Sequence, residues 1–195
     1  MASQPAPARA QRADARRNRE RIVAAATEAL TEAGGAPVSL EAIAKRAGVG
    51  IGTLYRHFPT RDALVEEAYR HEVDLLVDSA AELLEQLPPE QALSAWTERL
   101  VTYARAKRGM AEALQSAVAS GSTVHTDGRS RIVAALSEII QSGQRSGALR
   151  PDADADVALR AMMAIWSMPE GPGWAEQARA LLRLVVDGLR YGAGR

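Results

Sequence analysis

Within five consecutive residues, Thr53-Leu54-Tyr55-Arg56-His57, the chain offers two hydroxyls, a guanidinium and an imidazole. Such a set suits a polyanion. A guanidinium can meet the O6 and N7 acceptors of guanine bidentately, while hydroxyls and an imidazole can donate to phosphate oxygens or lie against thymine methyls. On a 100° helical wheel, Leu54 and Phe58 point one way, and Gly52 and Arg56 point the other, flanked by Thr53 and Tyr55. Gly52 then lets backbone approach a duplex closely, and Arg56 is the base-reading side chain. His57 reads as a phosphate neighbour or as an ordinary surface histidine.

Other chemistries find no matching spacing. Gly48-Val49-Gly50-Ile51-Gly52-Thr53 approaches a dinucleotide loop, but GxGxxG requires glycine where Thr53 stands, and no strand precedes it. His71-Glu72 opens like a zinc-protease helix, yet the second histidine of HExxH would fall on Leu75. Three scattered histidines and no cysteine supply no nucleophile motif. Neither catalytic residues, nor a metal, nor a cofactor is expected.

Two short helices must position the reader. Ser39 is a good N-cap, followed by Leu40, Ile43, Ala44 and Ala47 on one apolar face. Gly48 supplies the left-handed stop, Val49 can plug the corner, and a second helix runs from Gly50 to about His57. Helix, glycine turn and helix form the helix-turn-helix pattern. The bare pattern also occurs in small helical proteins of other function, so the flanks matter. Pro59 closes the second helix, and Thr60 caps a new one with Asp62 in its first turn.

The run Ile43-Ala44-Lys45-Arg46-Ala47-Gly48-Val49, then Gly52 to Leu64, resembles the signature of the tetracycline-repressor (TetR) family of bacterial transcription regulators; the likeness covers roughly residues 17 to 66. It implies phosphate contacts at Thr53, Tyr55, His57 and Arg61, a dimer formed through the two C-terminal helices, and a ligand pocket in the helical body whose occupation releases DNA. The sequence departs from the usual pattern in one respect. Gly50, Ile51 and Gly52 leave the first turn of the reader without Asn, Gln, Lys or Arg, and Glu41 is repelled by phosphate. Direct readout is therefore expected to be sparse, with arm arginines such as Arg9, Arg12, Arg16 and Arg17 adding groove or phosphate attraction. The expected DNA-facing set is Ser39, Gly50, Ile51, Gly52, Thr53, Tyr55, Arg56, His57, Arg61, Arg16 and Arg17.

Charge supports this reading. The net charge is zero, yet residues 1 to 61 carry ten Lys and Arg against five Asp and Glu, while the remainder carries fourteen against nineteen. A basic head and an acidic body suit a protein that grips a polyanion at one end. The absence of cysteine suits the cytoplasm. The N-terminus lacks the apolar run of a secretory signal, and no stretch approaches a membrane span.

The expected fold is all-α: a mobile Arg-containing arm over 1–15, a three-helix DNA-binding head over 16–59, and a six-helix regulatory and dimerisation body over 60–195. Helices are expected from Arg16 or Arg17 to Ala33, Thr60 to Gln86, Glu90 to Lys107, Met110 to Val118, Arg129 to just past Ser142, Val157 to Met168 and Trp174 to Tyr191, with a polar loop over 119–128. Trp96, Tyr103, Met110, Met163 and Trp166 are candidate pocket residues, or plain core. With no charged motif in the body, the effector is expected to be apolar or aromatic. Ala161, Ile165, Leu181, Leu182, Val185 and Val186 are candidates for the dimer contact, or for an intrachain core. The expected function is a ligand-released repressor that binds a palindromic operator in double-stranded DNA as a homodimer. The alternative is a helical small-molecule carrier or enzyme whose head serves assembly.

Overall fold

The Ser39 hydroxyl accepts the Ala42 amide at 3.1 Å, and Gly48 takes a left-handed φ of 64° with its N–H on the carbonyls of Ala44 and Lys45. These two ends define α2 (Leu40–Ala47), which lies between α1 (Ala6–Ala33) and α3 (Ile51–His57). The remaining elements of this computed structural model are α4 (Arg61–Gln86), α5 (Pro89–Gly109), α6 (Ala111–Ala119), α7 (Val124–Ser146), α8 (Ala155–Met162), a short 3-10 turn (Met163–Ser167) and α9 (Trp174–Arg190). The structure describes residues 6–34, 36–119, 121–169 and 171–192, and among these all regular structure is helical.

Two compact units emerge. The first takes the described residues up to His71 together with Gly109–Ser122; the second takes Glu72–Arg108 and the described residues from Thr123 onward. In the first, Ile22, Ala26 and Leu30 of α1 are buried along with Ile43 and Ala47 of α2, Leu54 and Phe58 around α3, and Leu64 and Ala68 of α4. The Thr60 hydroxyl accepts the Ala63 amide at 3.1 Å and so caps α4 as its sequence predicts. α6 belongs to this unit too, although its sequence position had placed it in the body.

In the second unit α7 is the central rod. Val124, Gly128, Ile132, Ala135, Leu136, Ile139, Ile140 and Gly143 are all buried along it. Asp154 caps α8 by accepting the Val157 amide at 2.9 Å. Trp96 is fully buried, with its indole N–H on the Leu76 carbonyl at 3.1 Å.

Several boundaries differ from expectation. α1 begins at Ala6 rather than Arg16, because the Ala, Gln and Arg of this segment are strong helix formers and Pro7 lies in the first turn, where no amide partner is needed. The remaining part of the expected arm, residues 1–5, lies outside the described residues. α7 begins at Val124, inside the expected loop, because Val124 and Gly128 bury against the core and override weak local propensity. Gly143, within α7, makes room for Leu149, whose Cδ1 lies 2.5 Å from where a Cβ would stand. α8 stops at Met162 instead of Met168. The Ile165, Trp166 and Met168 carbonyls are taken by one Arg108 nitrogen at 3.2, 3.0 and 3.2 Å, which draws the backbone into a tighter 3-10 turn.

Gly109 marks the tightest approach in the first unit. A Cβ there would stand 2.3 Å from the Leu30 carbonyl oxygen and 2.9 Å from the Thr31 Cα, both backbone atoms that cannot swing aside. Gly109→Ala should cost about 1–3 kcal/mol, lowering Tm by about 2–4 °C for each, as read by thermal unfolding. An unchanged Tm would mean that α1 and the end of α5 do not meet this closely.

Candidate nucleic-acid interface

α3 is only seven residues long, too short to hold itself, so its orientation comes from the side chains it buries. Leu54 and Phe58 are 0% and 2% exposed, as the wheel requires, whereas Ile51 and Tyr55 are 37% and 46% exposed. Gly52 and Arg56 are exposed, and Thr53 and His57 half-buried. A Cβ built on Gly50 or Gly52 meets nothing within 4 Å, so backbone is accessible at both places. The Arg56 Nε donates to the Gly52 carbonyl at 3.1 Å, and a terminal nitrogen reaches the Thr53 hydroxyl at 3.5 Å. The guanidinium thus lies along its own helix.

Other members of the expected set are held by their own chain. The Arg61 guanidinium donates to the Val38 carbonyl at 2.8 Å from an exposed position, and the Ser39 hydroxyl is engaged in its cap. Arg16 pairs with Glu20 at 3.6 Å and Arg17 with Asp14, in both cases on the exposed surface of α1. Exposed pairs of this kind are weak and screened by salt, so they can yield to phosphate.

Two arginines that position the reader were not legible as such. Arg21 donates to the Gly48 carbonyl at 3.1 Å and to that of Ala47, so a charge from α1 satisfies the end of α2 at the turn. Arg19 stacks 4.8 Å from the centre of the Phe58 ring and pairs with Glu67 of α4. The hydrogen bond from Arg19, working against the effect of burial, holds the Glu67 carboxyl below the ordinary carboxylate range. In sequence both arginines read only as part of a basic helix.

The body residues divide. Ile165, Leu182 and Val186 are buried within their own chain, so they belong to its core and not to an accessible face. Leu181 and Val185 are half-buried and Ala161 exposed, and they neighbour two residues that periodicity passed over, Val157 at 65% and Leu184 at 70% exposure. Among the candidate pocket residues, Trp96 and Tyr103 are buried and Met163 and Trp166 half-buried, all in the second unit, while the buried Met110 falls in the first.

Tyr103 and Trp166 meet edge to face, with ring centroids 6.0 Å apart. Lys107 Nζ stands 5.1 Å from the Trp166 ring centre and 6.0 Å from that of Tyr103. Burial, with the Arg129 charge second, pushes the Lys107 ammonium down to about 8. Burial likewise lowers His125, helped by the charges of Lys107 and Arg129. Arg108 stacks 4.6 Å from the Trp174 ring centre while holding the 3-10 carbonyls.

This geometry, a two-helix reader with an outward Arg56 followed by a long helical body, is that of a helix-turn-helix regulator of transcription. Comparison with known proteins makes the class specific. The model for bacterial regulatory proteins of the tetR family matches residues 22–68, and that for the SbtR-like transcriptional regulator C-terminal domain matches residues 88–191. A crystal structure of a TetR transcriptional regulator from Streptomyces coelicolor is 46% identical, covers 90% of this chain and 99% of its own, and superposes with a TM-score of 0.81. A TetR regulator from Mycobacterium vanbaalenii is 34% identical over 92% of this chain and 99% of its own, with a TM-score of 0.73. An HTH-type transcriptional regulator of Staphylococcus aureus (strain USA300) is 38% identical over 66 residues, a match that spans 34% of this chain and 36% of that relative's length.

The chain belongs to the TetR family of transcription regulators. Regulators of this family bind DNA and form dimers; they are not enzymes. Among the described residues no helix is long and apolar enough to cross a membrane.

Lys107 gives a pH signature of the folded body. Its folded value of about 8 lies below the 10.5 of an unperturbed lysine, so between these values the unfolded chain binds more protons and stability rises with pH. The gain is at most about 3 kcal/mol, less after solvent screening. Thermal unfolding from pH 7.5 to 10 should show this rise in the wild type relative to Lys107→Met; parallel curves would contradict it.

Proposed function

We propose that the chain is a repressor that holds a palindromic operator as a homodimer and releases it when a small molecule occupies the helical body. The observation that carries this reading is the outward face of α3, where Gly52, Tyr55 and Arg56 are exposed opposite the buried Leu54 and Phe58. Open backbone at Gly50 and Gly52 favours close approach to the floor of a major groove, and Arg56 supplies the fork that guanine accepts. Thr53, Tyr55, His57 and Arg61 then serve the phosphates, with Ser39, Ile51, Arg16 and Arg17 at the margin. Its DNA partner puts the protein in the cytoplasm.

A homodimer is favoured by the apolar groove along α8 and α9. This groove, about 380 Å³ in volume, is lined by Val157, Ala161, Val185, Gly188 and Leu189, with Arg150 and Asp152 among its polar rim. Val157 and Leu184 are large apolar side chains left in water by a single copy, and a second copy would cover them. We therefore assign the contact to Val157, Ala161, Leu181, Leu184 and Val185, in place of the buried Ile165, Leu182 and Val186. Two-fold pairing also supplies what one seven-residue helix lacks, a second half-site one helical turn or more away.

Release requires an effector that binds the DNA-free form better, and a coupling of about 1–3 kcal/mol is typical. An aromatic or apolar body on that effector fits the ring pair of Tyr103 and Trp166.

Selection of bound DNA from a random pool should return a palindrome. On that operator, Arg56→Ala should cost about 1–3 kcal/mol at one base pair of each half-site, measured by fluorescence anisotropy against single-base variants. The log–log salt dependence should fall by about 0.9 per phosphate neutralised and be little changed by this substitution. Equal weakening on operator and random DNA would sink the base-reading role, and recovery of no palindrome would sink the dimeric operator.

A further inference from the structure

Three basic groups of the second unit stand near one another. Lys107 comes from the last turn of α5, and His125 and Arg129 come from the first turns of α7. Burial, and after it the Arg129 charge, holds Lys107 below its ordinary value, and burial with the charges of Lys107 and Arg129 does the same to His125. All three side chains are half-buried and still reached by solvent. Arg129 is paired with Asp156 of α8, but that carboxylate is shared with Arg160 at 2.7 Å. Arg108, the next cation on α5, is spent on the 3-10 carbonyls.

A second, independent observation points the same way. The Trp166 indole N–H is buried with no hydrogen-bond partner in its own chain, although its ring is part of the stack under Lys107. A buried donor left so is costly, about 1–3 kcal/mol. The ring pair of Tyr103 and Trp166 adds a flat apolar wall. Mutually repelling cations, an orphaned N–H and aromatic walls share one natural complement: an anionic acceptor with an apolar body.

We propose that Lys107, His125, Arg129 and Trp166 form the head-group site for a small carboxylate effector, whose ring or hydrocarbon body lies against Tyr103 and Trp166. This deepens the ligand-release reading and rests on it for the consequence, though not for the binding itself. It also revises the effector expected from sequence, apolar or aromatic, by adding a negative charge. Lys107 contributes the balancing charge, Trp166 and the neutral His125 ring donors to the carboxylate oxygens, and Arg129 the surrounding positive field.

The test titrates the full-length protein with benzoate and 3-phenylpropionate, using the matching amides and inorganic phosphate as comparators, by calorimetry and by tryptophan fluorescence. At least one acid should bind tenfold or more tightly than its amide and than phosphate. Lys107→Met should abolish this preference, and Trp166→Phe, which keeps a ring but removes the N–H, should weaken the acid several-fold and leave the amide unchanged. Because Lys107 titrates at about 8 and His125, held below its ordinary value, is neutral there, acid affinity should fall about tenfold per pH unit above that value. Equal binding of acid and amide, phosphate as tight as either acid, an unaltered preference in folded Lys107→Met, or no acid bound at millimolar concentration would each overturn the site. A parallel arm follows release of bound DNA by anisotropy. Acids that bind without releasing DNA sink the release reading alone, whereas release by the amides and not by the acids sinks the carboxylate site alone.

Discussion

The burial of Leu54 and Phe58 is the constraint on which the DNA-reading face depends. Seven residues make under two turns of helix, far below the length at which a helix persists by itself in water. With both side chains withdrawn from solvent, Gly52, Tyr55 and Arg56 have no choice but to face outward. Arg19 over Phe58 and Arg21 on the turn carbonyls fix the same geometry from α1. The precision of the reader is therefore a property of the first unit's core, and side chains that never meet a base set the aim of those that do.

A comparable economy operates in the second unit through Arg108. One guanidinium serves three backbone carbonyls of the segment after α8 and also lies over Trp174 at the start of α9. The Ile165 carbonyl also accepts the Trp174 indole N–H at 3.3 Å, so Arg108 and Trp174 together serve the carbonyls that a helix end leaves open. Arg108 thus determines where α8 stops and how the Trp166 segment runs past Lys107, so the carbonyl-capping cation and the half-buried one beside it divide the work between structure and recognition.

Much of the first unit was legible in the sequence because its signals are local. Ser39, Gly48, Pro59 and Thr60 act on residues within one turn of themselves, and each does in the structure what its type implies. What escaped depends on contacts between residues remote in sequence. Val124 and Gly128 look like loop until the core that receives them is known, and the stop at Met162 depends on Arg108, more than fifty residues earlier. The basic cluster escaped likewise: Lys107 and Arg129 are 22 residues apart, and each taken singly is an ordinary charge near a helix end. Apolar periodicity found the right helices at the C-terminal end but could not say which stripe is covered, so Val157 and Leu184 were passed over in favour of buried neighbours.

The early start of α1 has a consequence for the energetics of the N-terminal arginines. Ten further residues of helix lengthen it by about 15 Å, and Arg12 joins Arg16 and Arg17 as a mark on one stiff ruler instead of a point in a diffuse cloud. A floppy tail would forfeit roughly 1–2 kcal/mol of freedom for every residue frozen against a duplex. A rod has surrendered that freedom before any encounter, so it reaches only those phosphates that happen to lie at its pitch, and geometry, not just charge, decides which stretches of backbone it can touch.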